Sequence, residues 1–418
     1  IFSQPHISSD WIAFCGVDLC FSAFRAIFLL PQPVFFDSFI SVFFFKSDMK
    51  NKDVVVKLLK GAGVEPTSVK SILEIPPDAS LGDFAFPCFV LAKERKKSPV
   101  EIAKELAKKI KASGVVERVE AKGPYLNFFL SVEAIAKEVL GEISKKGERF
   151  GCGENKKKRV MIEYSQPNTH KEFHVGHVRN VALGSSLVHL FRFLGYEVVP
   201  VNYIGDVGAH VAKCLWCYSE FHAKDTLPKN KGKYLGQIYA EAVRRVDEDE
   251  EHKAAVSEML QKLEGGDPEA LKLWSMIRQW SLDEFDEIYD FLGAEFGKVY
   301  YESKVEKPGK EMVQELLDKG IAEMSDGAVF INLEKYKLAV FLLLKSDGTS
   351  LYSTKDLALA KIKHKEYGPD RSVYVVDSRQ KMYFQQLFQT LKMMGFHEGL
   401  FHLCYDFVKL KEGAMSSR

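Results

Sequence analysis

The sequence lacks the features that mark secreted, membrane-embedded or strongly charged proteins. Its seven cysteines are odd in number and scattered over 418 residues, which excludes a disulfide framework and fits a reducing compartment. The formal net charge is only +1, so a nucleic-acid partner needs a local basic surface. A membrane span needs about 20 apolar residues, and the most apolar window, 26–45, is broken by two prolines and an aspartate. The sequence therefore predicts a cytoplasmic protein without membrane contact.

The overall composition and length are typical of a globular protein with more than one domain. Hydrophobic residues make up 46% of the chain and charged residues 28%, and the length allows two or three domains. The segment 1–48 differs, because it is crowded with phenylalanine and contains no methionine, whereas Met49 opens an amphipathic stretch. We expect 1–48 to be an extraneous or disordered extension.

One pair of cysteines, Cys214 and Cys217, has the CxxC spacing found in many zinc sites. No second pair and no histidine cluster completes a tetrahedral set of ligands, and the surrounding segment reads as helical. A free cysteine behaves as a small hydrophobe, so we expect packing cysteines and no protein-bound zinc.

Hydrophobic periodicity and turn residues divide the rest of the chain. Residues 49–141 show a small α+β pattern, with a helix from 99 to 111 and two strands around Gly123. A charged, glycine-containing linker is predicted at 142–158. From 159 onward strands alternate with helices, which is typical of a doubly wound parallel sheet, with a helical and mixed insertion at about 219–345.

The most informative motif is His174-Val175-Gly176-His177, which lies between a strand-like run and a helix-like run. A strand, a tight turn and a helix form half of a doubly wound unit, and the amino end of such a helix attracts phosphate. Gly176 leaves a flat surface for a purine. The two histidines can donate hydrogen bonds to phosphoryl oxygens as charge develops. Two surface histidines at a helix start remain an open alternative for this motif alone.

Several separate segments resemble one family, the class I aminoacyl-tRNA synthetases. The motif at 174–177 is similar to their HIGH motif, and 414–418 resembles their second motif, KMSKS. Five further segments resemble the arginyl-tRNA synthetases within that class: 74–87, 122–130, 163–208, 351–356 and 375–380. The resemblance covers essentially everything from Met49 to Arg418.

The resemblance implies a fold and a reaction. It implies a Rossmann-like, HUP-type catalytic domain at 159–418, preceded by an additional tRNA-binding domain at 49–141. The implied reaction is ATP-dependent activation of L-arginine to arginyl-adenylate, with Mg²⁺ accompanying ATP, and transfer to tRNA(Arg). The family is mostly monomeric and continues into a helical anticodon-binding domain. We therefore expect a monomeric chain that stops before that domain.

The resemblance also implies which residues form the site. The expected catalytic residues are Lys171, His174 and His177. The expected ATP contacts are His174, Gly176, His177, Met415, Ser416, Ser417 and Arg418. The expected arginine contacts are Glu163, Asn168, Lys171, His174, Tyr352, Asp356 and Gln380. Carboxylates suit a guanidinium, which is planar and presents five donors, and residues four apart such as Tyr352 and Asp356 share a helix face.

A row of lysines on the predicted helix at 99–111, namely Lys104, Lys108 and Lys111, is expected to contact tRNA by the same resemblance. Taken alone, this row also fits a solvated helix face.

The sequence departs from the family pattern at two places. Gln166 stands where the family often has a small serine, and the second motif has Ala414 and Ser417 in place of its two lysines. The resemblance implies that Lys171 replaces the second of these lysines. Two other functions stay open on the sequence: a nucleotidylyltransferase with an HxGH motif, and a non-catalytic tRNA-binding fragment.

Overall fold

The computed structural model describes residues 51–64, 69–406, 409–410 and 413–414. The predictions made for 1–48 and for Met415, Ser416, Ser417 and Arg418 lie outside the described residues. The chain divides into two compact units, with a boundary between Cys152 and Gly153. In the part that the structure describes, no helix is both long and apolar enough to cross a membrane.

The first unit combines helices with one antiparallel sheet, as the α+β pattern predicts. Its helices are α1 (51–61), α2 (Val69–Ile72), α3 (Phe89–Arg95), α4 (Pro99–Lys109) and α5 (Val132–Lys146). Its strands are β1 (Phe84–Pro87), β2 (Val116–Lys122) and β3 (Tyr125–Leu130), in the order β1-β3-β2. Side chains from α1, α4 and the sheet share one apolar core, which includes Leu59, Phe86, Ile102, Leu106 and Phe128.

Helix α4 begins and ends where its sequence provides the signals. Ser98 and Glu101 form a reciprocal capping box, and Pro99 occupies the first turn, where its missing N–H is not needed. The helix ends at Lys109, because Ile110 turns into extended backbone and buries its side chain in the core.

Two predictions for this unit differ from the structure. Lys111 lies beyond the end of α4, so the prediction that it shares a helix face with Lys104 and Lys108 is wrong; all three side chains are exposed. The Ser131 hydroxyl caps helix α5 by accepting a hydrogen bond from the N–H of Ala134. Residues that favour helix continue from there through Lys146. The helix therefore covers 142–146 of the predicted linker.

The second unit contains a central sheet, eight described helices and two smaller sheets. Its helices are α6 (Val175–Phe193), α7 (Ala209–Cys217), α8 (Lys231–Glu248), α9 (Glu250–Glu264), α10 (Pro268–Leu292), α11 (Glu302–Asp318), α12 (Tyr352–Tyr367) and α13 (Lys381–Met393). Its strands are β4 (Arg159–Glu163), β5 (Glu197–Ile204), β6 (Lys298–Tyr301), β7 (Glu323–Ser325), β8 (Ala328–Ile331), β9 (Phe341–Leu344), β10 (Arg371–Asp377), β11 (Gly399–Tyr405), β12 (Lys409–Leu410) and β13 (Gly413–Ala414).

The central sheet has five parallel strands in the order β11-β10-β4-β5-β6. Strands β5 and β6, which follow β4 in the sequence, lie on one side of β4. Strands β10 and β11, which come later in the sequence, lie on its other side. The switch point lies between β4 and β10, and open sheets of this kind bind ligands outside the carboxyl ends of their strands at that point. The predicted doubly wound fold is confirmed.

The predicted insertion at 219–345 is not one continuous piece. Helices α8, α9 and α10 follow β5 and share an apolar core with α7, which includes Trp216, Leu235 and Ile277. Strand β6 lies inside the predicted range but pairs with β5 as the edge of the central sheet, so the prediction is wrong there. The four residues of β6, Lys298–Tyr301, do not alternate between polar and apolar side chains, so they carry no strand pattern. The antiparallel sheet β7-β8-β9 follows α11.

Candidate active site

The loop that follows β4 has an unusual backbone. Ser165, Gln166 and His170 have φ angles of 76°, 50° and 64°, although none of them is glycine. Hydrogen bonds hold this conformation: the Ser165 N–H donates to Oδ1 of Asn180 at 2.6 Å, and the Gln166 N–H donates to Oδ1 of Asn202 at 3.1 Å. Backbone strain of this kind clusters at functional sites. Here it directs the chain from the end of β4 to the amino end of α6.

His174 and His177 form a fixed pair at the start of α6. Nδ1 of His174 accepts the Gly176 N–H at 3.1 Å, and Nδ1 of His177 accepts the His174 N–H at 3.2 Å. Because a backbone N–H only donates, each ring in its neutral form carries its proton on Nε2. The ring centroids lie 3.9 Å apart, and a Cβ added at Gly176 would lie 2.9 Å from Cε1 of His174. A larger residue at 176 would therefore displace the His174 ring from this position.

Both rings are neutral near pH 7. Burial lowers the pKa of His177 to about 3, with the charges of His174 and Lys171 acting in the same direction. Burial also lowers the pKa of His174 below its ordinary value. Two neutral imidazoles that present Nε2–H groups at a helix amino end are suitable donors for phosphate oxygens.

A cavity of about 460 Å³ lies at the amino end of α7 and is rich in lysine. Lys171, Lys213, Lys345 and Lys355 line it, against the single carboxylate of Glu302. Lys355 binds Glu302 at 2.7 Å, and the other three lysines form no ion pair among the described residues. Burial, helped by the nearby charge of Lys213, lowers the pKa of Lys171. The excess of positive charge suits a ligand that carries several phosphate oxygens.

A smaller pocket contains two carboxylates from distant parts of the sequence. Glu163 ends β4 and Asp356 lies in the second turn of α12, and both line this pocket together with Lys363. Lys363 donates to Oε2 of Glu163, and the Tyr383 hydroxyl donates to Asp356. Burial raises the pKa of Asp356 to about 7, and the charge of Glu163 adds to the rise. The structure thus brings Glu163 and Asp356 together at the switch point of the sheet.

Comparison with known proteins gives two matches to family models. The model for the catalytic domain of class I (R) tRNA synthetases matches 139–418. The chain belongs to this family. The model for the arginyl-tRNA synthetase N-terminal domain matches 50–130. The resemblance inferred from the motif at 174–177 and the segments around it is confirmed.

Curated relatives in the family are 35–38% identical to this chain over the aligned residues. An arginine–tRNA ligase of Bdellovibrio bacteriovorus is 38% identical over 376 residues, which cover 88% of this chain and 64% of the relative. An arginine–tRNA ligase of Halothermothrix orenii is 35% identical over 377 residues, covering 89% and 66%. The chain thus spans slightly less than two thirds of the length of these relatives.

Solved structures of the family confirm the fold class. The arginyl-tRNA synthetase of Thermus thermophilus is 25% identical with a TM-score of 0.59, over 88% of this chain and 67% of that one. The arginyl-tRNA synthetase of Plasmodium falciparum is 20% identical with a TM-score of 0.54, over 86% and 66%, which shows the fold alone.

The five other residues expected to bind arginine lie outside the smaller pocket: Lys171 and His174, described above, and Tyr352, Gln380 and Asn168. Tyr352, one turn before Asp356, lines the larger cavity, where it is 63% exposed. Gln380 is exposed in the turn after β10 and lines neither cavity. Asn168 faces Gly205, where an added Cβ would lie 2.3 Å from the Asn168 Oδ1 atom. Of this set, the structure therefore places Glu163 and Asp356 in the smaller pocket, and Lys171 and Tyr352 in the larger cavity.

Two residues, Lys363 in the smaller pocket and Tyr203 on β5, were not predicted from the sequence. Lys363 reads as part of the charged end of a surface helix, yet it is buried against Glu163. Its spacing of seven residues from Asp356 places both on one face of α12, and this spacing was the available signal. Tyr203 has a buried hydroxyl without a hydrogen-bond partner among the described residues. Burial raises its pKa, and the charge of Asp356 contributes to the rise.

Asp206, in the segment after β5, joins the elements that surround the cavities. Its buried carboxylate accepts hydrogen bonds from Nε of Arg278 at 2.9 Å and from the N–H and hydroxyl of Ser303 at 2.8 Å each. Trp274 donates to its carbonyl oxygen at 2.8 Å. These bonds connect the end of β5 to α10 and α11.

Proposed function

We propose that this chain carries the amino-acid-activating site of an arginine–tRNA ligase. In this reaction the carboxylate of arginine attacks the α-phosphate of ATP, which yields arginyl-adenylate and pyrophosphate. The arginyl group is then transferred to the terminal adenosine of tRNA(Arg). The observation that carries the proposal is the pocket that contains Glu163 and Asp356, and membership of the family supports it.

The smaller pocket suits the guanidinium of arginine by charge and by geometry. A guanidinium is planar and forms bidentate hydrogen bonds with carboxylates. Glu163 already accepts from Lys363 and from Gln166, whose Nε2 lies 3.0 Å from Oε1. Asp356 forms no ion pair among the described residues; the Tyr383 hydroxyl donates to its Oδ2, and its other carboxylate oxygen is proposed to accept from the guanidinium. Binding of the cation favours the ionised form of Asp356.

ATP, which enters with Mg²⁺, is proposed to bind at the amino end of α6 and toward the lysine-rich cavity. His174 and His177 donate from Nε2 to phosphate oxygens, Lys171 supplies a full positive charge, and Gly176 leaves room for adenine. Little covalent chemistry is required of the protein, because positioning and charge stabilisation lower the barrier. The reacting centre proposed here uses no protein-bound zinc.

The remaining assignments are part of the same proposal. Asn168, Tyr352 and Gln380 bind the rest of the arginine substrate, and Met415, Ser416, Ser417 and Arg418 contact ATP. Lys104, Lys108 and Lys111, all exposed, contact tRNA. The protein acts in the cytoplasm as a monomer.

ATP–pyrophosphate exchange in the presence of tRNA(Arg) tests the proposed function. We expect exchange that requires L-arginine and that is lost in Asp356→Asn, while Asp318→Asn, at the exposed end of α11, retains it. Arginine binding without exchange would identify a non-catalytic fragment. Exchange that does not depend on arginine would identify a nucleotidylyltransferase instead.

A further inference from the structure

The CxxC pair of α7 is divided between two environments. Cys214 is buried in the apolar core that α7 shares with α8 and α10. Cys217 is also buried, but its sulfur lies within 4.8 Å of a ring nitrogen of His222 and of a carboxylate oxygen of Glu241. Those two atoms also lie within 4.8 Å of each other. A thiol, an imidazole and a carboxylate therefore converge at one point.

The backbone after α7 explains why Cys217 and His222 meet. Residues Tyr218–His222 form a π-helical turn, in which hydrogen bonds join residues five apart. In an α-helix, residues five apart point to different sides, whereas the wider turn brings His222 round to the side of Cys217. Turns of this kind are frequent at functional sites. Glu241 comes from α8, which packs against α7.

Other side chains hold both polar members of the cluster. Nδ1 of His222 lies 2.7 Å from Asp225, and its Nε2 faces Oε2 of Glu241 at 3.1 Å. Nε of Arg245 donates to the other oxygen of Glu241 at 2.7 Å, and the Tyr234 hydroxyl donates to Asp225 at 2.9 Å. Metal-binding histidines have this arrangement, in which a carboxylate on one ring nitrogen fixes the other nitrogen toward the ion.

We propose that Cys217, His222 and Glu241 bind a divalent cation of the zinc type, with water as the fourth ligand. Sulfur, imidazole nitrogen and carboxylate oxygen are the donors that Zn²⁺ takes in proteins. The side chains of His222 and Glu241 are 19% and 22% exposed, so solvent reaches the fourth position. The expectation of no zinc rested on the lack of a second CxxC pair and of a histidine cluster, whereas His222 and Glu241 are single residues outside the CxxC pattern.

Binding of the cation is coupled to release of a proton. The sulfur–metal bond forms as the thiol proton leaves for solvent, so the affinity increases with pH. The alternative is a His222 ring that only hydrogen-bonds to Asp225 and Glu241 and binds no metal.

Titration of the full chain with Co²⁺, a spectroscopic substitute for Zn²⁺, tests the proposal. We expect one Co²⁺ per chain, with the absorption bands of tetrahedral cobalt and a thiolate-to-cobalt charge-transfer band, and displacement by Zn²⁺. Cys217→Ala removes the charge-transfer band, and Cys214→Ala, three residues away on the same helix and also buried, retains it. Asp225→Asn weakens binding by about 10–100-fold.

Glu241→Gln gives a second variant that keeps the size of the side chain, so the test does not depend on Cys217→Ala alone. Circular dichroism confirms that each variant is folded. The proposal is overturned by the absence of stoichiometric binding, by an octahedral spectrum without a charge-transfer band, or by equal binding in Cys217→Ala and Cys214→Ala. None of these outcomes depends on aminoacylation activity.

Discussion

The ammonium group of Lys363 binds the carboxylate of Glu163, and both groups are buried beside Asp356. These three side chains carry one net negative charge when all are ionised. A single guanidinium neutralises that charge. The pocket is therefore matched in charge to one cationic ligand, and each of the three groups has a separate, measurable effect.

Lys363→Met leaves Glu163 buried without a cation and next to a second carboxylate. Removing one partner of a buried ion pair costs about 3–5 kcal/mol, so we expect a loss of that size in the free energy of unfolding. L-arginine supplies the missing charge and stabilises this variant more than the wild type. Chemical denaturation with and without arginine measures both effects.

The matched control for this experiment is Lys361→Met. Lys361 lies on the same helix but forms an exposed pair with Glu315, and exposed pairs contribute about 0–1 kcal/mol. Equal losses in the two variants, or the same stabilisation by arginine in Lys363→Met and the wild type, would contradict the account.

The affinity for arginine depends on pH through Asp356. With a pKa raised to about 7 by burial, this carboxyl is largely protonated below that pH, and a protonated carboxyl does not pair with a guanidinium. The dissociation constant therefore decreases as the pH rises from about 6 to about 8. Calorimetric titrations across this range measure the trend.

Asp356→Asn removes the titrating group and with it the pH dependence. A hydrogen bond to a charged group contributes about 1.5–3 kcal/mol, which corresponds to a loss of about 10–150-fold in affinity. A pH profile that persists in Asp356→Asn would assign the dependence to another residue.

Lys171→Ala separates ATP chemistry from arginine binding. Lys171 lines the larger cavity and not the pocket of Asp356, so we expect adenylate formation to slow by about 10²–10³-fold while arginine affinity stays unchanged. Lys231→Ala is the control, since this half-buried lysine contacts the Trp280 ring outside both cavities. Equal weakening of arginine binding in Lys171→Ala would make Lys171 a structural residue.

Asp206→Asn tests the connection between β5 and the helices that follow. The substitution removes the charge that pairs with Arg278, and we expect the free energy of unfolding to fall by about 3–5 kcal/mol. Asp283→Asn, at an exposed position of α10, serves as the control. An unchanged midpoint in urea denaturation would show that the bonds of Asp206 are replaceable.

The sequence was sufficient for the elements that carry a long pattern. The strand β4 and the helix α6 follow from their apolar periodicity, and the motif at 174–177 lies at the start of α6. Strand β6 was missed because its four residues do not alternate between polar and apolar side chains. Lys111 was misplaced because burial of Ile110 ends α4 earlier than helix propensity indicates. Short strands and helix ends depend on packing, which a local pattern does not report.

Only part of the candidate site could be predicted from the sequence. Glu163 and Asp356 meet as the resemblance implied, since both lie at the switch point of the sheet. Lys363 and Tyr383 were missed. In the sequence alone, a lysine that will be buried and a tyrosine that will bind a carboxylate cannot be distinguished from other helix residues. The meeting of Cys217 with His222 depends on one π-helical turn, which the sequence does not indicate.

The most direct test of the central claim compares calorimetric binding of L-arginine and L-citrulline, which have the same shape but differ in charge. The account predicts that arginine binds, that citrulline binds at least about tenfold more weakly, and that Asp356→Asn removes most of the difference. Equal affinities for the two ligands, or a preference that persists in Asp356→Asn, would contradict it.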